Sequence, residues 1–401
     1  MRSYVIDRLV WYPRNNLDNP VSFDYIINYS DTENEEPTNN TATVRLYDYN
    51  NRLVRNGVFQ PQEGELMVYY SKEITSADDV EFTDDDIVWT GIYLDRQQNE
   101  SPDSHFFTLT IADFGFIVYN RFWNQSYFNR ELKTNEVIID LVKNASEHPT
   151  GDGSYFIDVT NIADKRNDGS DFPITKATFI NKPVYEWFKE LSQPIWTNSE
   201  AEILNPVIRH PMTFKIKGYK AYWFERPTNP EYVINDNTFF LDVSEQTENE
   251  REVTYLIIEC GEDFEGKPIR AYLENDLTKS TIVKERYEKI PKIAGINREY
   301  DNEAHSLRTN FSIDTNTQFR QEVRKLAQSY KEYWFSQFAL GLTQITITIP
   351  YTQHWEIGEI VDFRRTGYDR GLYRIISKSN SISTNTRTTN VTLEKLPREE
   401  Q

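Results

Sequence analysis

The sequence predicts a β-rich α+β protein, with two related antiparallel β-modules and a mixed α+β domain that carries short helices. One observation is a three-part phrase that occurs near each end of the chain. Another is the aromatic content of 14%, which suits a core built from pleated sheets. A third is a change to helical periodicity in the middle of the chain. The first copy consists of Gly64-Glu65-Leu66-Met67-Val68, Gly91-Ile92-Tyr93 and Phe107-Thr108-Leu109. The second copy consists of Gly358-Glu359-Ile360-Val361, Gly371-Leu372-Tyr373 and Val391-Thr392-Leu393.

The chain length and charge restrict the class of protein. A chain of 401 residues exceeds the size at which one core stops growing, so several domains are expected. The formal net charge of -19 argues against a nucleic-acid binder, which needs clustered Lys and Arg. Solubility is the commoner reason for such acidity, but it also suits a surface that lets DNA pass without sticking.

The sequence has no signal for a membrane span, a leader or a disulfide. No apolar stretch approaches the length of about 20 residues that a bilayer requires, and Met1-Arg2-Ser3-Tyr4 begins no signal peptide. The lone Cys260 lies in an apolar run and is expected to pack as a small hydrophobic residue. We therefore expect a protein made in a cytoplasm and kept soluble, with no membrane insertion.

Residues 1–112 are predicted to form the first β-module. Apolar and polar residues alternate in Ser22–Ile27 and in Thr43–Tyr47, as in half-buried strands. The pairs Asn50-Asn51 and Asn56-Gly57 separate the strands, and Asn-Gly is the favoured two-residue hairpin signal.

Residues 113–235 are predicted to form the mixed domain, outside the two β-modules. Thr134-Asn135 can cap a helix whose apolar face includes Val137 and Leu141. A second helix is predicted from Asn181, with Pro183 in its first turn and Pro194 stopping it. Two strands follow, at Phe214–Ile216 and at Ala221–Phe224.

Residues 236–401 are predicted to form the second β-module, interrupted by a helix at about residues 317–332. The stretch Glu252–Cys260 is β-like, and Asn316-Thr317 signals the helix, whose apolar spacing begins at Phe319. After Gly341, the residues Ile345, Ile347 and Ile349 alternate with threonines and the second copy of the phrase follows.

The two copies differ by an acidic loop at residues 78–86. In the first copy 26 residues separate Gly64 from Gly91, whereas 12 separate Gly358 from Gly371. The extra residues contain Asp78-Asp79 and Asp84-Asp85-Asp86, which could attract a cation. The loop lacks the glycine and glutamate spacing of a calcium loop, so a solvated hairpin tip is favoured.

No catalytic, cofactor-binding or metal residue is predicted. The loop from Asp164 to Gly169 has a calcium-loop glycine, but Arg166 stands at a ligand position, so a polar turn is favoured. Nucleophile-elbow, phosphate-loop and dinucleotide motifs do not occur in the sequence. The five histidines are never three or four residues apart, which gives no zinc signature; they are His105, His148, His210, His305 and His354.

Two alternatives remain open at this point. A polysaccharide-degrading enzyme needs only two carboxylates and aromatic platforms, such as the stretch from Phe114-Gly115-Phe116 to Tyr127-Phe128. Buried packing is the commoner role of such aromatic residues. A receptor-binding protein is the other alternative.

Taken in order, the segments resemble the baseplate hub proteins of tailed phages and related contractile injection systems, including the amino-terminal part of type VI secretion spike proteins. The resemblance covers most of the chain, and it rests on the shared order of short motifs. The segments are Phe107–Asp113 leading into Asn120–Trp123, Asn135–Val142, Pro183–Leu191, Lys220–Phe224, Phe319–Tyr330, Ile357–Val361 and Gly371–Ile376.

The resemblance implies a structural, non-enzymatic hub without cofactors. Each chain of a homotrimer would contribute two β-barrel modules of the tail-tube type to a pseudo-sixfold ring. The ring would join the tail tube or a distal tail protein to a central spike or tip protein, with a tape measure protein as a further partner, and would let DNA pass without specific binding. Its location would be the baseplate of a virion tail, assembled in the host cytoplasm. Lys395-Leu396-Pro397 comes just after the second module, and we expect any β-helical spike or lytic domain to be a separate protein.

Overall fold

The computed structural model describes most of the chain. The described residues are 4–13, 20–35, 40–48, 64–74, 81–101, 104–127, 130–147, 156–175, 178–193, 212–248, 253–274, 284–290, 315–331, 334–335, 342–352, 354–383 and 386–396. The fold is mostly antiparallel β-sheet with a few short helices, as the sequence predicts. The turn residues Asn50-Asn51 and Asn56-Gly57 lie outside the described residues.

The first module consists of strands that alternate between core and solvent. Thr41–Tyr47, for example, buries Ala42, Val44 and Leu46 and turns its other residues outward, as expected for a sheet with one buried face. Its strands are β1 (Tyr4–Pro13), β2 (Val21–Phe23), β3 (Ile26–Asn34), β4 (Thr41–Tyr47), β5 (Gly64–Ile74), β6 (Ile87–Ser101) and β7 (Ser104–Ala112).

The middle of the chain contains short strands and helices. The elements are α1 (Gly115–Tyr119), β8 (Gln125–Ser126), α2 (Thr134–Ala145), β9 (Asp158–Ile162), β10 (Thr178–Phe179), α3 (Val184–Leu191), β11 (Met212–Lys217) and β12 (Lys220–Glu225). Strands β9, β11 and β12 form one small sheet, and β8 pairs with β10.

The second module begins after β12 and is interrupted by a further sheet. Its strands are β13 (Tyr232–Ile234), β14 (Asp242–Glu248), β18 (Leu342–Pro350), β19 (Ile360–Phe363), β20 (Gly371–Ser383) and β21 (Arg387–Lys395). The interrupting elements are β15 (Tyr255–Glu262), β16 (Pro268–Glu274), β17 (Glu285–Lys289) and α4 (Asn316–Ser329). Strands β15 to β17 form a separate sheet, and its buried residues share a hydrophobic cluster with those of the middle region.

The predicted helices are present with slightly different ends. Helix α2 begins at Thr134, and its first turn is closed by Glu136, which accepts a hydrogen bond from the Lys133 backbone N–H at 2.7 Å. Helix α3 begins at Val184, after Pro183, instead of at Asn181. Helix α4 ends at Ser329, and the hydroxyl of Thr315 accepts from the Gln318 N–H at its start.

The two modules have the same strand order, which explains the repeated phrase. Neighbouring strands run β3-β4-β7-β6-β5-β1 in the first module and β14-β18-β21-β20-β19-β13 in the second. The last pair differs, since β1 is antiparallel to β5 whereas β13 is parallel to β19.

The registers show which residues of the two modules are equivalent. Strands β6 and β20 each carry one bulge against the following strand, next to Tyr93 and next to Ile375. Aligning the bulges makes Ile92 equivalent to Arg374, and therefore Leu66 equivalent to Ile360, as the phrase predicts. Tyr93 is then equivalent to Ile375, two residues beyond the predicted Tyr373.

The modules are joined by direct pairing of β20 with β3. The first part of β20 pairs with β19, and its second part pairs with β3 from Ser377↔Asn34 to Ser383↔Asn28. Within the described residues the strands therefore form one open sheet of thirteen strands. The predicted closure into two separate barrels is not seen there, because β3, an edge strand of the first module, pairs with the second half of β20.

Candidate functional site

The seam between β20 and β3 is the contact that makes one sheet out of two modules. Its buried side carries a polar network centred on Asp31, which is 2% exposed. Asn380 donates to the Asp31 carboxylate from its backbone N–H at 3.1 Å and from Nδ2 at 3.0 Å. Tyr29 donates its hydroxyl to Asp31 at 2.6 Å, and Thr389 donates to Asn380 Oδ1 at 2.8 Å. The seam is thus held by specific partners as well as by its backbone ladder.

Burial changes the ionisation of this network. Loss of hydration raises the pKa of Asp31 to about 6, although the hydrogen bonds from Tyr29 and Asn380 act in the opposite direction. Burial also raises the pKa of Tyr29, with the Asp31 charge as a second cause. The tyrosine therefore stays a donor, and the carboxylate is the group that titrates near neutral pH.

A second polar cluster lies at the other end of the seam. Arg374 on β20 donates from Nε to Glu35 at 3.0 Å and from Nη2 to Glu394 on β21 at 3.5 Å. Arg226, which follows β12, approaches the second oxygen of Glu35 at 3.3 Å. Burial raises the pKa of Glu394 despite the nearby Arg374. This cluster links the first module, the second module and the middle region.

The hairpin between β20 and β21 extends the seam across the first module. Arg387 donates to Asp7 on β1 at 2.6 Å and to Ser71 on β5 at 2.9 Å. Ile382 is buried in the core of the first module. Tyr29 and Tyr69 stack in that core with ring centroids 3.9 Å apart, so β3 and β5 face each other. The first sheet is therefore curled, and the second module covers its open side.

A cavity of about 50 Å³ lies where the three regions meet. Asp113 lines it, and burial raises the pKa of this carboxyl to about 7. Glu356 also lines it and forms ion pairs with Lys215, at 3.2 Å, and with Lys217. Burial alone would raise the pKa of Glu356, but the two lysines hold it below its usual value. This volume holds a few water molecules and is far below the roughly 300 Å³ of a small-molecule pocket.

The side of the sheet opposite the core carries neutral polar side chains, and we name it the hydroxyl face. It crosses six strands, β18, β21, β20, β3, β4 and β7, whose registers align three rows of side chains. Every member is Ser or Thr except Asn34 and Asn390. The rows are Thr346, Thr392, Ser377 and Asn34; Thr348, Asn390, Ser379, Thr32 and Thr41; and Thr388, Ser381, Ser30, Thr43 and Thr110.

Charged groups flank these rows. The pair Arg374 and Glu394 lies at one end, and Arg45 lies at the other, over the ring of Phe106 at 4.4 Å. Within the rows, Thr348 donates to Asn390 across the strands at 2.7 Å. On the neighbouring strands, Asp95 of β6 lies opposite Thr110 and Asp242 of β14 lies opposite Thr348. The three rows are therefore free of formal charge across the six strands named, in a protein with a net charge of -19.

Within the described residues the long sheet has open edges at β14 and along the second half of β6. Strand β14 pairs only with β18 there, and the Asp95–Ser101 part of β6 pairs only with β7. Exposed apolar side chains lie beside the outermost strands, with Tyr25 73% exposed after β2 and Phe239 69% exposed before β14. Exposed strand edges invite pairing with a further strand.

The candidate cation loops are occupied by their own hydrogen bonds. Asp86 accepts from the Thr83 N–H at 2.7 Å and lies 3.5 Å from Lys72. These contacts lower its pKa against the effect of burial. In the loop from Asp164 to Gly169, the Asn167 N–H donates to Glu225 at 3.1 Å. Residues 78–80 of the acidic loop lie outside the described residues.

The remaining candidate residues do not converge on one place. Within the described ranges, no three His, Cys, Asp or Glu side chains form a group that could hold a metal ion. His148, His210 and His305 lie outside those ranges. Phe114 and Tyr127 are buried in the middle region, so these members of the aromatic stretch pack in a core. None of the described helices is long and apolar enough to span a bilayer.

Comparison with known proteins gives the fold a context. No protein-family model and no curated protein matches the sequence. Solved structures match over nearly the whole chain. The tail protein from Neisseria meningitidis MC58 has a TM-score of 0.56 and 9% identity, covering 98% of this chain and 97% of that one. The 43 kDa tail protein of prophage MuSo2 from Shewanella oneidensis has a TM-score of 0.57 and 9% identity, covering 97% and 98%.

A third similar structure is prophage tail protein gp18 from Listeria monocytogenes EGD-e. Its TM-score is 0.51 with 8% identity, and the match covers 98% of this chain and 95% of that one. At identities this low, the similarity shows only that the helices and strands are arranged in the same way. This chain therefore has the fold of these tail proteins.

Proposed function

We propose that this protein is a structural hub of a phage-like tail. In this proposal three copies form a pseudo-sixfold ring that joins the tail tube to a central spike or tip protein. The observation that carries the proposal is the equal strand order of the two modules within one continuous sheet. Three chains with two such modules supply six near-equivalent units, and head-to-tail contacts between them can close a ring.

The hydroxyl face supports a role as the wall of the channel. A wall with clustered Lys or Arg would retain DNA through phosphate contacts. A wall with many carboxylates would repel it. The three rows from Thr110 to Thr346 carry neither kind of charge, which suits the passage of DNA without binding. Proteins of the tube, the spike and the tape measure are the proposed partners, and the virion baseplate is the proposed location.

The proposal assigns no catalytic chemistry to the chain. Several carboxylates of the described region are engaged in turns and ion pairs, such as Asp86 with Thr83 and Glu356 with Lys215. The fold matches are named as tail proteins. The tube-type barrels of the proposal would be completed by contacts between chains.

The mass and symmetry of the purified protein test the ring. We expect a species of three times 47.4 kDa by light scattering and threefold symmetry with a central channel by electron microscopy. A protein that stays a 47.4 kDa monomer at all concentrations, alone and with its tube partner, would contradict the proposal.

A further inference from the structure

The seam joins β20 to β3. Their equivalents in the other module, β6 and β14, are not paired with each other within the described residues. Strand β20 is long, and its second half extends past β19 to pair with β3 over seven residue pairs. Strand β6 is the equivalent of β20, and its second half likewise extends past β5. Strand β14 is the equivalent of β3, and it contains seven residues.

The equivalent positions can be followed residue by residue. Aligning the bulges of β6 and β20 makes Gln97 equivalent to Ser379, and Gln98 equivalent to Asn380. The registers through β7 and β21, then β4 and β18, make Asp31 equivalent to Glu245. They also make Thr32 equivalent to Gln246.

We infer that β6 of one copy pairs antiparallel with β14 of the next copy, with Gln97 opposite Gln246 and Gln98 opposite Glu245. The inference rests on the proposed ring, and it specifies which residues face each other where two copies meet. The partner is a second copy of this chain. The contact between two copies has the same pairing as the contact of β20 with β3 inside one copy.

Side-chain chemistry at the two places agrees with this pairing. The seam within the chain sets the amide of Asn380 against the carboxylate of Asp31. The inferred contact sets the amide of Gln98 against the carboxylate of Glu245, with one more methylene group on each side. Gln98 and Glu245 are both exposed in the single chain, as partners in an interface between copies must be.

The inferred contact also continues the hydroxyl face. Gln97 and Gln246 lie on that side of the sheet, at the places that Ser379 and Thr32 hold in the seam. Both are neutral amides. This pair of opposite residues would therefore carry no charge at the contact between copies.

Disulfide cross-linking tests the register. Directly opposite residues of antiparallel strands have Cα atoms about 4.5 to 5.5 Å apart, which a disulfide can bridge. The native Cys260 is fully buried, and burial raises the pKa of its thiol to about 12, so it stays unreactive. Under mild oxidation the variant Q97C/Q246C should form covalent dimers and trimers that reducing agent separates.

Two controls are supplied by the chain itself. The variant T32C/S379C places the same pair in the seam, and it should cross-link within one chain without any gain in mass. The variant Q97C/D242C is out of register by four residues, about 13 Å along the strand, and should remain uncross-linked. Light scattering on each reduced protein measures whether the ring itself forms.

The cross-linking and light-scattering results distinguish the inferred register from the proposed ring. A ring in which Q97C/Q246C fails to cross-link, or in which Q97C/D242C cross-links equally well, overturns the inferred register and leaves the ring standing. A protein that never assembles overturns the proposed function and the inference with it.

A charge swap gives a second readout that needs no oxidation. Q98E sets two carboxylates opposite each other and should weaken each contact between copies up to about fivefold, because like charges directly opposite are unfavourable. Adding E245Q should restore assembly. Q321E on the exposed side of α4 is the matched control and should assemble normally. Equal weakening by Q98E with and without E245Q would contradict the inferred pair.

Discussion

At the scale of single residues, Asp31 is the most constrained group of the seam. It lies in the core of the sheet with donors on both oxygens, from Tyr29 and from Asn380. A carboxylate in such a place keeps its hydrogen bonds but loses its water. Its pKa of about 6 records that balance.

The titration of Asp31 predicts how stability depends on pH. Its pKa in the folded protein is above its ordinary value of 3.8, so folding favours the protonated form. The contribution of Asp31 to the free energy of unfolding should therefore grow as pH falls from about 6 to about 4, by about 3 kcal/mol. Urea unfolding of the wild type and of Asp31→Asn at pH 7.5, 6 and 4.5 measures this difference.

Comparing the wild type with Asp31→Asn cancels the effects of other titrating groups on stability, because both proteins contain them. A difference between wild type and Asp31→Asn that is constant over this range, or that shrinks toward low pH, would contradict the assignment. Asp113, whose pKa is raised to about 7, should change the stability of both proteins in the same direction.

At the scale of elements, the meander β5-β6-β7 depends on a close approach at Gly91. A Cβ atom built at Gly91 would lie 2.0 Å from the carbonyl oxygen of Ala112 on β7. This oxygen belongs to the backbone of β7, which cannot move aside as a flexible side chain could. Gly91 therefore has a steric reason to be glycine.

Gly91→Ala should destabilise the protein by about 3 kcal/mol or more, the upper range for overpacking. Gly218 is the control, since its φ is +53° and nothing lies within 4 Å of an added Cβ. Gly218→Ala should cost about 1 kcal/mol, for the left-handed backbone alone. Chemical denaturation of the two variants measures both values, and equal costs would contradict the steric explanation.

Elements also differ in how well the sequence predicts them. Helices α2, α3 and α4 follow from apolar spacing, while their first residues depend on neighbours such as Pro183. The phrase identifies equivalent meanders, but its Tyr93 and Tyr373 are two residues out of register. A shift of two keeps every side chain on its side of the sheet, so an alternating pattern cannot reveal it.

At the scale of the whole molecule, the hydroxyl face predicts weak interaction with DNA. The double variant T32K/S381K adds two positive charges per chain to two exposed positions of this face. In a trimer six lysines would surround the channel, and the salt dependence of duplex binding should steepen to a slope of about -5. The wild type should show no salt-dependent retention of the same duplex.

Fluorescence anisotropy of a labelled duplex, at several salt concentrations, measures this difference. Q318K/Q321K on the exposed side of α4 adds the same charge elsewhere and is the control. Tight binding by the wild type, or equal binding by the two lysine variants, would contradict a channel wall formed by the hydroxyl face.

The sequence by itself determined the β-rich class, the duplicated module and the main helices, because these follow from local periodicity and repeated phrases. Only the tertiary structure decided that β20 pairs with β3. The strands that meet there present Ser379, Thr32 and other small polar residues, which carry no apolar signal. The partners Asp31 and Asn380 are 349 positions apart, and nothing local in the chain relates them. Strand pairing over such distances depends on the curvature of the finished sheets, and so do the hydroxyl face and the open edges.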